Sequence, residues 1–144
     1  MYQYVALASL TPVVELRAAI PLGLALGLDL LALVMIAILA NILVAPLVFL
    51  VLKFAGFRRL LFSVLGKKIE TKINKHRTRF ETFGVLALIP FVAIPLPGSG
   101  AYTGALIAEV LGYDRVKSCL TIAIGVCISA IIVMLASVSI VSAL

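Results

Sequence analysis

Tryptophan is absent from this chain of 144 residues, histidine occurs once, cysteine twice, and charged residues make up only 12%. Each scarcity removes a class of function. Cys119 and Cys127 lie eight apart in an uncharged stretch, with no CxxC spacing and no second ligand group. They read as small apolar helix residues, and neither a metal nor a cofactor is expected. No catalytic triad or phosphate-binding loop can be assembled from the scattered hydroxyls and the single His76, so no enzymatic activity is expected. Water-soluble domains average about 25% charged and about 45–50% apolar residues. Here 64% are hydrophobic and the mean hydropathy is +1.27. A soluble globular domain is excluded.

Long uncharged runs take its place. Leu30 to Leu52 is 23 residues without a charge, about 35 Å of helix at the usual rise, enough to span a bilayer with a modest tilt. Ser118 to Leu144 is a second such run, 27 residues long. Both predict transmembrane helices in one membrane domain over 1–144. The start, Met1-Tyr2-Gln3-Tyr4, has no positive n-region, so the first hydrophobic block is expected to remain in the mature protein.

The basic residues are concentrated. Nine of the 12 fall between Lys53 and Arg79, with Glu70 the single acid among them. Because this run joins two membrane-competent blocks, the positive-inside rule accounts for it better than nucleic-acid binding does. It predicts a multi-pass protein of the plasma (cytoplasmic) membrane with a cytoplasmic central segment, 53–82. Phe57, Leu60, Leu61, Val64, Leu65, Ile69 and Ile73 recur there at three- and four-residue steps. That spacing predicts an amphipathic helix held on the inner leaflet by apolar burial and by anionic lipid.

The remaining hydrophobic blocks are interrupted, and they match each other. At a constant offset of 85, Pro12 falls on Pro97, Ala19 on Gly104, Gly23 on Ala108, Gly27 on Gly112 and Asp29 on Asp114. Paired broken segments at equivalent positions point to a transport site between repeats of opposite orientation. The expected architecture is all-α, with repeat one at 1–52 and repeat two at 83–144. Each is a re-entrant helical hairpin followed by a transmembrane helix, and the basic helix lies between them. Kinked full spans are the alternative for the broken segments, because irregular backbone survives at membrane depth only where protein or a wet cavity surrounds it. Two spans cannot shield two polar hairpins from lipid, so a homodimer is expected.

Several residues in these blocks are candidates for chemistry. Glu15 and Arg17 are the only charges in the first 28 residues. Charges at membrane depth pair or line polar cavities. An i, i+2 spacing suits extended or turn backbone, where both side chains share a side. Arg17 would then hold an anionic group and Glu15 exchange protons, or the two form a structural pair. In Pro95-Leu96-Pro97-Gly98-Ser99-Gly100 no regular helix can form, and Ala101-Tyr102-Thr103-Gly104 reads as a helix start. Its free N–H groups suit an anion. Pro97, Gly98, Ser99, Gly100, Tyr102 and Thr103 are therefore candidate substrate contacts. Glu109 is either an interfacial charge or a proton-coupling carboxylate. The small residues Ala19, Gly23 and Gly27, and Gly100, Gly104, Ala108 and Gly112, recur every four positions and predict close helix packing.

The stretches Pro12 to Gly23 and Pro95 to Ala108 resemble the small multidrug export protein family, short prokaryotic membrane proteins, over nearly the whole chain. That family is in turn distantly similar to the DedA and VTT-domain membrane proteins, which pair two re-entrant hairpins and carry an acidic and a basic residue in one of them. The resemblance implies proton-linked flipping of a polyprenyl-phosphate or phospholipid headgroup, with Glu15 and Arg17 opposite a hairpin formed by Pro97, Gly98 and Gly100. A small transporter for an anionic lipid-linked or amphiphilic substrate is the leading expectation. A non-transporting scaffold or subunit that assembles through its small-residue faces is the alternative.

Overall fold

The computed structural model describes Gln3, residues 15–96 and residues 98–143, the side chains of 15–18 and 141 excepted; Pro12 and Pro97 lie outside the described residues. Every described element is helical. In chain order they are α1 (Glu15–Ala25), α2 (Leu30–Val51), α3 (Ala55–Lys75), α4 (Arg77–Phe83), a 3-10 turn (Gly84–Ala87), α5 (Leu88–Ala93), α6 (Ala101–Val110) and α7 (Arg115–Ala143).

Local chemistry sets the joints, and it does so twice. After α1 the chain turns at Gly27, where φ is +72°; after α6 it turns at Gly112, where φ is +70°. Only glycine adopts this left-handed conformation without steric cost. Leu28 N–H donates to Gly23 O at 3.1 Å, and Tyr113 N–H to Ala108 O at 2.9 Å. Gly27 N–H donates to Leu24 O and Gly112 N–H to Glu109 O. These two bonds define a Schellman ending, which satisfies the last carbonyls of each helix. The next helix then starts alike. The carboxylate of Asp29 accepts from Ala32 N–H at 2.9 Å, and that of Asp114 from Lys117 N–H at 3.0 Å. Both α1 and α6 end, and both α2 and α7 begin, 85 residues apart. Asp29→Ala and Asp114→Ala are each expected to cost about 1 kcal/mol of stability, seen as matching drops in the unfolding midpoint of the purified protein. Clearly unequal drops would show that the junctions are not equivalent.

This geometry corrects one reading of the small residues. Gly27 and Gly112 have nothing within 4 Å of where a Cβ would sit, so they are turn residues and not packing surfaces. Gly23 and Gly104 do pack. A side chain at Gly23 would collide with Leu33, and one at Gly104 would meet Val92 at 3.0 Å. In the second copy the positions of Gly23 and Leu33 hold Ala108 and Ser118, both fully buried. A methyl is gained on one helix where the other loses volume.

α2 and α7 are long and apolar enough to cross a membrane. On α2, Leu33, Ala37, Val44, Ala45 and Val48 form the buried stripe, while Leu31, Met35, Leu39, Leu43 and Leu47 are exposed on the other side. In water each such leucine would forgo about 1.5–3 kcal/mol of burial, so this face belongs against hydrocarbon. α7 is the central helix: α1, α2, α5 and α6 all pack on it. Its buried line, Ser118, Ile122, Val126, Ser129, Ala130, Val133 and Ser137, is rich in small residues, as close approach in lipid requires. α1 packs on α2 and α7, and α6 packs on α7 and α2, a reciprocal pattern. The Arg115 guanidinium at the start of α7 lies 5.9 Å from the Phe49 ring near the end of α2. The two long helices are therefore antiparallel.

The broken segment of the second half is two short helices, α5 of 6 residues and α6 of 10. At about 9 and 15 Å each falls well short of the roughly 30 Å hydrocarbon core. They pack on one another and on α7. The basic segment is helical as expected, and it docks on this hairpin: Ile69 is buried, and the Phe80 and His76 rings meet Phe91 at 6.0 and 5.7 Å. Phe57, Leu60 and Val64 stay exposed.

Candidate functional site

The turn between α5 and α6 is built by its own polar groups. Gly98 takes a left-handed φ of +73°, which a side chain would strain. Ser99 is buried, and its Oγ donates within hydrogen-bond reach of Ile94 O and Leu96 O, both at 2.9 Å. Ser99 thus closes the turn; its hydroxyl is directed at backbone carbonyls and not at the space beside the hairpin. Gly100 is buried and precedes α6 as its N-cap, contributing no side chain. Lys72 Nζ, from α3, donates to Gly98 O.

That lysine borders a cavity of about 620 Å³. Leu47, Val48 and Val51 of α2 form one wall, Phe57, Leu61 and Leu65 of α3 a second, and Leu106 of α6 the floor. Gly98, Tyr102 and Thr103 supply the hairpin's polar edge, and Lys68 and Lys72 face them from α3. Three of the residues expected from the sequence therefore share one space, and two lysines join them that sequence reasoning missed. A signal was available: Leu61, Leu65, Lys68 and Lys72 follow one another at steps of four, three and four, so the lysines continue the apolar stripe of the helix.

Glu109 is placed elsewhere. Its side chain is 10% exposed, and Arg115 holds it with two hydrogen bonds, Nε to Oε2 at 3.3 Å and Nη2 to Oε1 at 3.1 Å. Arg58 Nη1 stands 3.9 Å from the same Oε1, and the Arg58 Cζ lies 5.9 Å from the centre of the Phe62 ring. The carboxylate therefore ties the end of α6 to the starts of α7 and α3.

The backbone of Glu15 and Arg17 is helical, so the expected bend is not present at these positions. On a helix an i, i+2 pair is separated by about 200° around the axis. Their side chains, and Pro97, lie outside the described residues. His76, between α3 and α4, is held below the ordinary imidazole pKa by burial and then by the charges of Arg79, Lys75 and Lys72. Among the described residues no group of His, Cys, Asp and Glu is arranged to hold a metal ion.

The family model described as "Putative small multi-drug export protein" matches residues 15–132 of the chain, which include α1, α2, the basic segment, the hairpin and most of α7. No curated protein and no solved structure matches it.

Proposed function

The chain belongs to this small multi-drug export family, and on that premise we propose that it is a small plasma-membrane transporter or flippase for an anionic lipid-linked or amphiphilic substrate. The observation that carries this reading is the cavity at the hairpin edge. A broken helix pair beside a roomy space with cationic and hydroxyl groups is what alternating access needs, and a dry packed contact would instead suit a scaffold. The halves act as inverted repeats, each with a re-entrant hairpin. Support comes from the junctions repeated at an offset of 85, the reciprocal packing, and the antiparallel α2 and α7. The basic segment lies on the cytoplasmic side, where Phe57, Leu60 and Val64 reach the inner leaflet and its anionic lipid. Proton linkage falls to Glu15 and anion capture to Arg17, on α1. A second copy across a two-fold axis completes the enclosure of the hairpins.

The test is reconstitution in liposomes with a head-labelled polyprenyl phosphate or phospholipid. The wild-type protein is expected to raise the fraction of label reached by an impermeant quencher. Glu15→Gln and Arg17→Ala are each expected to abolish that gain while leaving the protein inserted. Movement kept by both variants, with expression lost, would make the pair structural. Cysteines placed beside Glu15 and Gly98 are expected to label from opposite faces, and labelling of both from one face would remove the inversion. A wild-type protein that moves no label would leave the scaffold reading.

A further inference from the structure

We propose that the space between α2, α3 and α6 is a binding site for a drug-sized anionic amphiphile, its charged head on Lys68 and Lys72 beside Tyr102 and its apolar body against Leu61 and Leu65. The site deepens the transport reading and rests on it for its role, while binding itself is measured without transport. Size comes first. The cavity, about 620 Å³, falls within the roughly 300–1,000 Å³ of pockets that bury drug-sized ligands.

Charge then selects the ligand. Among the described residues, the cavity's only charged side chains are the two lysines, and no carboxylate lines it. Lys68 makes no hydrogen bond or ion pair among the described residues, while Lys72 reaches Gly98 O. Two ammonium groups four residues apart on one helix face repel one another, and beside an apolar wall that repulsion is screened less than in water. An anionic head shared between them relieves it, and the Tyr102 and Thr103 hydroxyls at the same edge can donate to its oxygens. A cationic drug would meet the opposite field. The remaining walls, from Leu47 to Leu106, are aliphatic or aromatic and offer an alkyl chain or ring system no polar partner. One polar end and one apolar body make an amphiphile the matching shape. Because Lys72 also holds the carbonyl of Gly98, a head that draws its ammonium away loosens the hairpin turn, coupling occupancy to the broken helix.

The experiment uses the full chain in phosphatidylcholine nanodiscs, titrated with dansyl-labelled undecanoic acid against empty discs. Saturable binding is expected, with displacement by decyl phosphate and none by decyltrimethylammonium. Lys68→Gln is expected to weaken the probe about threefold and the Lys68→Gln, Lys72→Gln pair about tenfold, as exposed charge contacts do. Lys68→Arg is expected to bind as the wild type, and Leu65→Trp to fill the space and remove binding. The Lys68 side chain makes no hydrogen bond or ion pair among the described residues, so its variant tests charge without removing the Lys72–Gly98 bond. No saturable signal above empty discs, equal displacement by the cation, or unchanged affinity in both glutamine variants would overturn the site. Discs containing phosphatidylglycerol separate the sources. Competition there identifies a bilayer lipid head as the ligand, and undiminished probe binding identifies a free amphiphile. Binding as described with no movement in liposomes would keep the site and remove the transport reading.

Discussion

Gly125→Ala is expected to destabilise the protein by about 1–3 kcal/mol, and Gly125→Leu to prevent recovery of monodisperse protein. A Cβ at Gly125 would lie 2.8 Å from Val92 Cβ and 3.0 Å from Ile89 O. Neither neighbour is the movable tip of a flexible side chain, so relief requires α5 to separate from α7. That contact seats the first arm of the hairpin on the central helix, and losing it also exposes the turn that borders the cavity. The control is Gly66→Ala on α3. Beyond the helix's own backbone nothing among the described residues lies within 4 Å of the new methyl there, and the gain in helix propensity is expected to leave stability unchanged or raised by up to about 1 kcal/mol. Unfolding midpoints of the two variants in the same detergent decide the matter. Equal midpoints would mean that the α5–α7 contact is not as close as described.

Glu109→Gln is expected to cost about 2 kcal/mol, because it leaves the Arg115 and Arg58 guanidinium groups near one another without the carboxylate between them. The figure is below that of a fully buried pair, since Arg115 and Arg58 are 41% and 53% exposed and water screens them. Arg115→Gln is expected to cost less, and the double variant Glu109→Gln, Arg115→Gln less than the sum of the two, with a coupling of about 1 kcal/mol. Transport by folded Glu109→Gln is expected to match the wild type per inserted molecule. Its loss in well-folded protein would return Glu109 to proton coupling.

How far these features can be read from sequence depends on the distance over which their causes act. At Gly27-Leu28-Asp29 and Gly112-Tyr113-Asp114 the four-residue spacing of small residues points to packing, whereas the structure makes the glycines left-handed turns and the aspartates caps. The matched offset of 85 is legible in the order of the residues. Glu15 and Arg17 show the limit of local reasoning. Their spacing favours a bend, yet the backbone from Glu15 to Ala25 is helical even through Pro21, and α2 and α7 pack against it. Gly125 drew no attention in the sequence, lying outside the small-residue rows, and only the approach of Val92 and Ile89 makes it intolerant.

From composition and order alone came the membrane class, the two helices long and apolar enough to span, the interrupted second block and the basic segment between them. These follow from the cost of charge in lipid, from the conformations open to proline and glycine, and from periods of three and four residues. Tertiary structure alone decided that Lys72 reaches Gly98 O and that Lys68 borders the same cavity as Tyr102 and Thr103, that Ser99 turns inward to nearby backbone carbonyls, and that Arg115 and Arg58 converge on Glu109. Those outcomes depend on how each helix is rotated and set against its neighbours. That rotation is fixed by the close approach of small residues distant in the chain, a quantity no local period encodes.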